Sequence, residues 1–128
     1  MKTNNRILIL DDEPIVGERL KVSLENAGYV VEALSSSVEA ISRLKEAHFD
    51  ILVTDLKMSG PDGMEVLRIA RQVDPDIKAV VITGFATKDT AEEARQSGAV
   101  GFIAKPFKMS QLKELLLALS AGEKNLGE

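Results

Sequence analysis

Apolar residues fall into two alternating kinds of run along this chain. Short, near-continuous runs lie at Arg6–Leu10, Tyr29–Leu34, Asp50–Thr54, Ile77–Thr83 and Val100–Ala104. Runs of that length without polar alternation are those of strands covered on both faces, as in a parallel sheet. The second run is the least regular, because Glu32 sits inside it. Between the runs, apolar residues recur at helical spacing. Val16, Leu20, Leu24 and Ala27 share a face before a stop at Gly28; Val38, Ile41 and Leu44 share another. Val66, Ala70 and Val73 precede Pro75, and Leu112, Leu115, Leu116 and Leu119 precede Gly122. These stripes predict amphipathic helices with legible ends. From Thr87 to Ser97 nothing apolar is larger than Ala91 or Ala94. A helix there buries little area, so it and the loop before it are expected to be the most mobile region, reordered when the site is engaged.

Five strand–helix units in alternation predict an α/β fold: a doubly wound, five-stranded parallel sheet with helices on both faces and right-handed crossovers. Flavodoxin-like sheets of five such units have the order 2-1-3-4-5, which is the order expected by that likeness. In sheets of this kind ligands bind at the carboxyl ends of the strands, where the order reverses.

Composition narrows the chemistry. At 128 residues the chain is expected to form one domain. It has no cysteine and a single histidine, which removes disulfides, thiolate chemistry, Cys-ligated metals and His-rich metal sites. A net charge of −4 argues against direct nucleic-acid binding by this chain. No apolar run approaches membrane-spanning length and the first residues carry no signal-like stretch, so a cytoplasmic protein without membrane contact is expected.

The predicted strand ends are polar in a matched way. The first ends in Asp11-Asp12-Glu13-Pro14, which alone reads as a helix start with an Asp cap and Pro in the first turn. The third ends in Asp55, alone an ordinary turn residue, and the fourth in Thr83-Gly84, alone a good strand former before a turn. The fifth ends in Lys105-Pro106, alone a solvated charge before a turn in which a cis peptide bond is a candidate. Taken together the four ends face one crevice. Three carboxylates that close cannot all stay ionised unaided, and a hard divalent cation resolves the conflict. Mg²⁺ with Asp11, Asp12, Asp55 and Lys105 sums to zero charge, a site suited to receiving a dianionic phosphoryl group on a carboxylate. There is no G-x-G-x-x-G and no P-loop, which disfavours a direct phosphate cradle.

These residues resemble the receiver domains of two-component response regulators over about Asn5 to Ala121. The resemblance rests on Asp11-Asp12, Asp55, Thr83, Lys105-Pro106-Phe107 and the stretch from Asp55 to Gly63, which departs in having Ser59 where a proline is common. It implies a receiver over 1–121 with 122–128 a tail or linker remnant. It also implies a signalling domain rather than an enzyme, catalysing only its own phosphorylation and slow dephosphorylation. Asp55 would accept a phosphoryl group from a sensor histidine kinase or histidine phosphotransfer protein. Asp12, Asp55 and the backbone carbonyl of Lys57 would bind Mg²⁺ (Mn²⁺ as an alternative) directly, with Asp11 acting through water. Lys105 and Thr83 would hold phosphoryl oxygens. Phe102 falls at the aromatic switch position, and Lys57 and Phe85 flank the approach of the hydrolytic water. The face of helix 4, strand 5 and helix 5 would serve a homodimer or an effector domain, with Leu117 exposed on it or packed against a neighbouring helix.

Two other functions would use an acceptor aspartate or this fold. A haloacid-dehalogenase-type phosphatase needs a second Asp two residues after the nucleophile, where this chain has Lys57, and a cap insertion that it lacks. A degenerate receiver would have lost an acidic or lysine position, and none is lost. His48, near the end of the second helix, is expected as a helix C-terminal cap rather than a catalytic group.

Overall fold

A computed structural model describes residues 5–58 and 60–120. The elements alternate throughout: β1 (Arg6–Leu10), α1 (Pro14–Asn26), β2 (Val30–Leu34), α2 (Ser37–Glu46), β3 (Ile51–Thr54), α3 (Gly63–Val73), β4 (Lys78–Thr83), α4 (Lys88–Gln96), β5 (Ala99–Ala104) and α5 (Met109–Ser120). The strands form one parallel sheet in the order β2-β1-β3-β4-β5. The topology is the expected doubly wound one, with the reversal between β1 and β3.

The apolar runs are explained by two cores, one on each face. Leu8, Leu10, Leu52, Ala79 and Val81 point to the side covered by α2, α3 and α4. Their neighbours Ile7, Ile9, Ile51, Val53, Val80 and Ile82 point to the side covered by α1 and α5. Because successive strand side chains face opposite ways, a strand buried on both faces has no polar positions. Burying one such Leu, Ile or Val contributes about 1.5–3 kcal/mol before entropy is counted.

Several boundaries and faces differ from the sequence expectation. The second to fifth strands each start a residue away from the predicted position, Ala99 one earlier and the others one later. Asp50, expected inside β3, lies just before it and pairs at the sheet's lower edge: its backbone N–H donates to the Arg6 carbonyl and its carboxylate accepts from the Arg6 N–H. Val38 is 62% exposed and Val73 45% exposed. The buried face of α2 runs through Ser37, Ala40 and Leu44, one residue and hence about 100° of rotation from Val38. Val73 closes α3, with no further turn to cover it. Ala27 is the exposed C-cap of α1.

The helix start after β1 is also different. The N-cap is Glu13, with Pro14 following and no side-chain cap bond, so neither Asp11 nor Asp12 is the cap. His48 does not cap α2, whose C-cap is Ala47. Its Nε2 lies 2.9 Å from an Asp50 carboxylate oxygen and its Nδ1 3.6 Å from one of Asp74. It therefore ties the start of β3 to the end of α3. Glu32, the irregular residue of β2, is held by the Arg43 guanidinium at 2.7 and 3.0 Å, with Arg6 at 3.6 Å. The hydrogen bond from Arg43 is the main cause of a carboxyl pKa below its ordinary value, against the opposing effect of burial. Ser59 and the tail from Gly122 to Glu128 lie outside the described residues.

Candidate functional site

The register Leu10↔Thr54 between β1 and β3 sets the next residues, Asp11 and Asp55, side by side at the carboxyl edge. The Asp55 N–H continues the ladder by donating to the Leu10 carbonyl, and the Asp11 N–H donates to the Leu34 carbonyl. Both carboxylates are buried, whereas Asp12 is exposed. One oxygen from each of Asp11, Asp12 and Asp55 lies within 4.8 Å of the others.

The fifth strand closes the site. The Lys105 N–H donates to the Thr83 carbonyl, which extends the β4–β5 pairing by one residue. The Lys105–Pro106 peptide is cis. The Lys105 ammonium lies 2.9 Å from Asp55 Oδ2 and 3.1 Å from Asp11 Oδ2, so one cation serves two carboxylates. Burial disfavours its charge, but the hydrogen bonds to Asp55 and Asp11 and their attraction outweigh that and raise its pKa. Against this single cation stand three carboxylates, and the surplus negative charge falls on a set of hard oxygen donors. That donor set fits a divalent cation such as Mg²⁺.

The Asp55 carboxylate and carbonyl are held by neighbouring groups of the same segment. Asp55 Oδ1 accepts from the Leu56 N–H at 2.7 Å, and the Asp55 carbonyl accepts from the Thr54 hydroxyl at 2.8 Å. Gly63, the first residue of α3, passes so close that a β-carbon there would sit 1.9 Å from the Asp55 carbonyl oxygen. Its N–H donates to the Leu56 carbonyl. Sequence reading took in Gly63 only as the end of the stretch from Asp55 and gave it no role of its own; the packing shows why no larger residue fits. The signal was the glycine itself, one residue after the cap Asp62.

Thr83 is fully buried and its hydroxyl oxygen accepts from the Phe85 N–H at 3.0 Å. Lys57 and Phe85 meet each other: the ammonium lies 4.9 Å from the ring centroid. Phe102 stands apart on β5. It is half-buried against the core under α2–α4 and lines a groove of about 600 Å³ between α4 and β5. Leu117 is 65% exposed on α5.

A doubly wound sheet with paired acids after β1, an aspartate after β3, and a threonine and a lysine after β4 and β5 defines a class of acceptor domains with one reactive edge. Comparison with known proteins places the chain within it. The profile of the response regulator receiver domain matches residues 7–117, so the chain belongs to the response regulator receiver family. It is 33% identical over 106 residues to the C4-dicarboxylate transport transcriptional regulatory protein DctD of Rhizobium meliloti, covering 83% of this chain but 23% of that protein. It is 33% identical over 117 residues to the response regulator receiver protein CpdR of Brucella abortus, covering 88% of this chain and 98% of that one. The chain thus spans about a quarter of the length of the first relative and nearly all of the second. Among solved structures, a CheY-like receiver domain protein from Methanospirillum hungatei superposes with a TM-score of 0.90 at 27% identity over 96% of this chain and 98% of that one.

Membership establishes the general role. Receivers are signalling domains that accept a phosphoryl group, bind Mg²⁺ at an acidic pocket, and work with histidine kinases and effector domains. No helix among the described residues is long and apolar enough to cross a membrane.

Proposed function

We propose that residues 1–121 form a receiver in which Asp55 takes the phosphoryl group of a phosphohistidine on a sensor kinase or phosphotransfer protein, with 122–128 a tail or linker. The observation that carries this reading is the Lys105 ammonium held between the buried Asp55 and Asp11 carboxylates, with Asp12 beside them. In the transfer, an Asp55 carboxylate oxygen forms the new P–O bond. The P–N bond to histidine breaks, and the released ring nitrogen keeps the electron pair. Asp12, Asp55 and the Lys57 backbone carbonyl are the groups that would hold Mg²⁺, with Asp11 through water. The ion supplies positive charge that offsets repulsion between these acids and the incoming phosphoryl oxygens. Lys105 pairs with a phosphoryl oxygen, and the Thr83 hydroxyl donates to another.

The output face is α4, β5 and α5. Its supports are the groove beside Phe102, the weak burial of α4 and the exposed Leu117. Phe102 has no hydroxyl, so an inward turn of its ring gains burial and no hydrogen bond. A histidine kinase binds the receiver at its reactive edge, and a homodimer or effector domain uses the output face.

Lys57 and Phe85 set a long phosphoryl lifetime in this reading. Neither side chain can accept a proton from an attacking water, and their contact at 4.9 Å occupies both. After donor removal, Lys57→Asn with Phe85→Glu is expected to lose the label faster than wild type; equal decay would show that these residues do not govern hydrolysis. The reading as a whole is tested by incubation with acetyl phosphate. Labelling is expected with Mg²⁺ and is expected to vanish in excess chelator, with Asp12→Ala shifting the requirement to higher Mg²⁺. Undiminished labelling in chelator contradicts it.

A further inference from the structure

Phe85 is gripped from both its backbone groups by hydroxyls of different elements. Its N–H donates to Thr83 Oγ1 at 3.0 Å, at the end of β4 and within the site. Its carbonyl accepts from Thr90 Oγ1 at 2.7 Å, in the first turn of α4. Thr90 also completes the start of that helix. Its Oγ1 accepts from the Thr87 N–H at 2.9 Å, and its own N–H donates to Thr87 Oγ1 at 3.1 Å.

A hydroxyl has one proton, and that of Thr90 has two carbonyls in reach: Phe85 at 2.7 Å and Thr87 at 3.1 Å. The shorter contact goes outside the helix and the longer one stays within the cap. If the Phe85 carbonyl moves away, the proton passes to the Thr87 carbonyl and no donor is left unpaired. The cap is then intact in either arrangement, so the exchange costs little.

We propose that Thr90 is a positioning residue that couples the Thr83 hydroxyl to helix α4 through the two backbone groups of Phe85. This rests on the phospho-acceptor reading. Thr83 is β-branched, so its hydroxyl moves between discrete rotamers rather than by small tilts. Turning toward a phosphoryl oxygen on Asp55, it either releases the Phe85 N–H or pulls Phe85 with it. Either movement disturbs the Phe85 carbonyl and hands the Thr90 proton to Thr87. The tie between loop and helix is cut while the helix cap remains. Since Ala94 is the one residue of α4 that is fully buried, that tie is a large part of what fixes the N-terminal half of the helix.

The test is amide exchange across α4 in the full chain, for Thr83→Val, Thr90→Val and both together, with Thr90→Ser as the conservative variant. Thr83→Ala replaces Thr83→Val if the latter does not fold. Each single change is expected to speed exchange in the first turn of α4 by about threefold or more. The double variant is expected to go no further than Thr90→Val alone, because both cut one chain of bonds. Thr90→Ser is expected to restore the wild-type rate. A helix cap acting alone predicts otherwise: Thr83→Val leaves α4 exchange unchanged, or the two effects multiply, and either result overturns the proposal. Uptake of the phosphoryl group from acetyl phosphate is followed in parallel by intact mass. Thr90→Val is expected to label like wild type. A wild-type protein that does not label overturns the phospho-acceptor reading, while the exchange data decide the coupling.

Discussion

Lys105 shows how one residue can stabilise the resting site and still be available to a ligand. Its ammonium neutralises part of the charge of Asp55 and Asp11, and in return its own pKa is raised. A group whose folded pKa lies above its unfolded value stabilises the fold fully below the unfolded value and loses that contribution as pH rises through the folded one. Denaturant unfolding followed from about pH 9 to about pH 12 is expected to show, above the ordinary lysine value of 10.5, a steeper loss of stability for wild type than for Lys105→Met; parallel curves there contradict the pairing. Gly63 makes the opposite point, since its role lies in what it lacks. A β-carbon 1.9 Å from the Asp55 carbonyl oxygen meets backbone, which cannot swing aside. Gly63→Ala is expected to cost about 1–3 kcal/mol or more and to displace Asp55. At Gly84 a β-carbon meets nothing within 4 Å and φ is not positive, so Gly84→Ala is expected to stay within about 0.5 kcal/mol of wild type. Equal costs at the two glycines would remove the steric account of Gly63.

At the scale of elements, unequal burial separates parts that hold from parts that can move. Helix α3 buries Gly63, Met64, Val66, Leu67 and Ala70, whereas α4 buries Ala94 alone. Amides of α4 are expected to exchange with solvent faster than those of α3, although α4 has the more complete N-terminal capping box. Equal protection would mean that capping and the Thr90 bond outweigh burial. This contrast was legible in the sequence, because it depends only on side-chain size between Thr87 and Ser97. The strands were legible for a similar reason: burial on both faces leaves a run such as Ile7-Leu8-Ile9-Leu10 with no polar position. Helix faces were less so. Val38 lies one residue off the buried face of α2 that runs through Ser37, Ala40 and Leu44, and Val73 closes α3 with no further turn to cover it. Glu32 was illegible because its partners, Arg43 and Arg6, come from other elements; His48 was illegible because it turns away from the end of α2 to Asp50, two residues on, and to the distant Asp74.

For the whole molecule, topology converts scattered residues into a site. Asp11, Asp55, Thr83 and Lys105 are unremarkable singly. Each follows or ends a parallel strand, so a sheet of order β2-β1-β3-β4-β5 carries them all to one edge. That gathering followed from strand ends and strand order alone. The links from the edge to the rest of the molecule did not, since the bonds of Phe85 to Thr83 and Thr90, and the contact of Lys57 with its ring, depend on loop conformation. The central claim concerns the edge. It is tested most directly by the intact mass of wild type and Asp55→Asn after incubation with acetyl phosphate and Mg²⁺, with peptide mapping of the product. The account predicts one added phosphoryl group on wild type, mapped to Asp55, and none on Asp55→Asn. A wild-type protein that stays unmodified, or an Asp55→Asn variant that gains the same group elsewhere to the same extent, contradicts it.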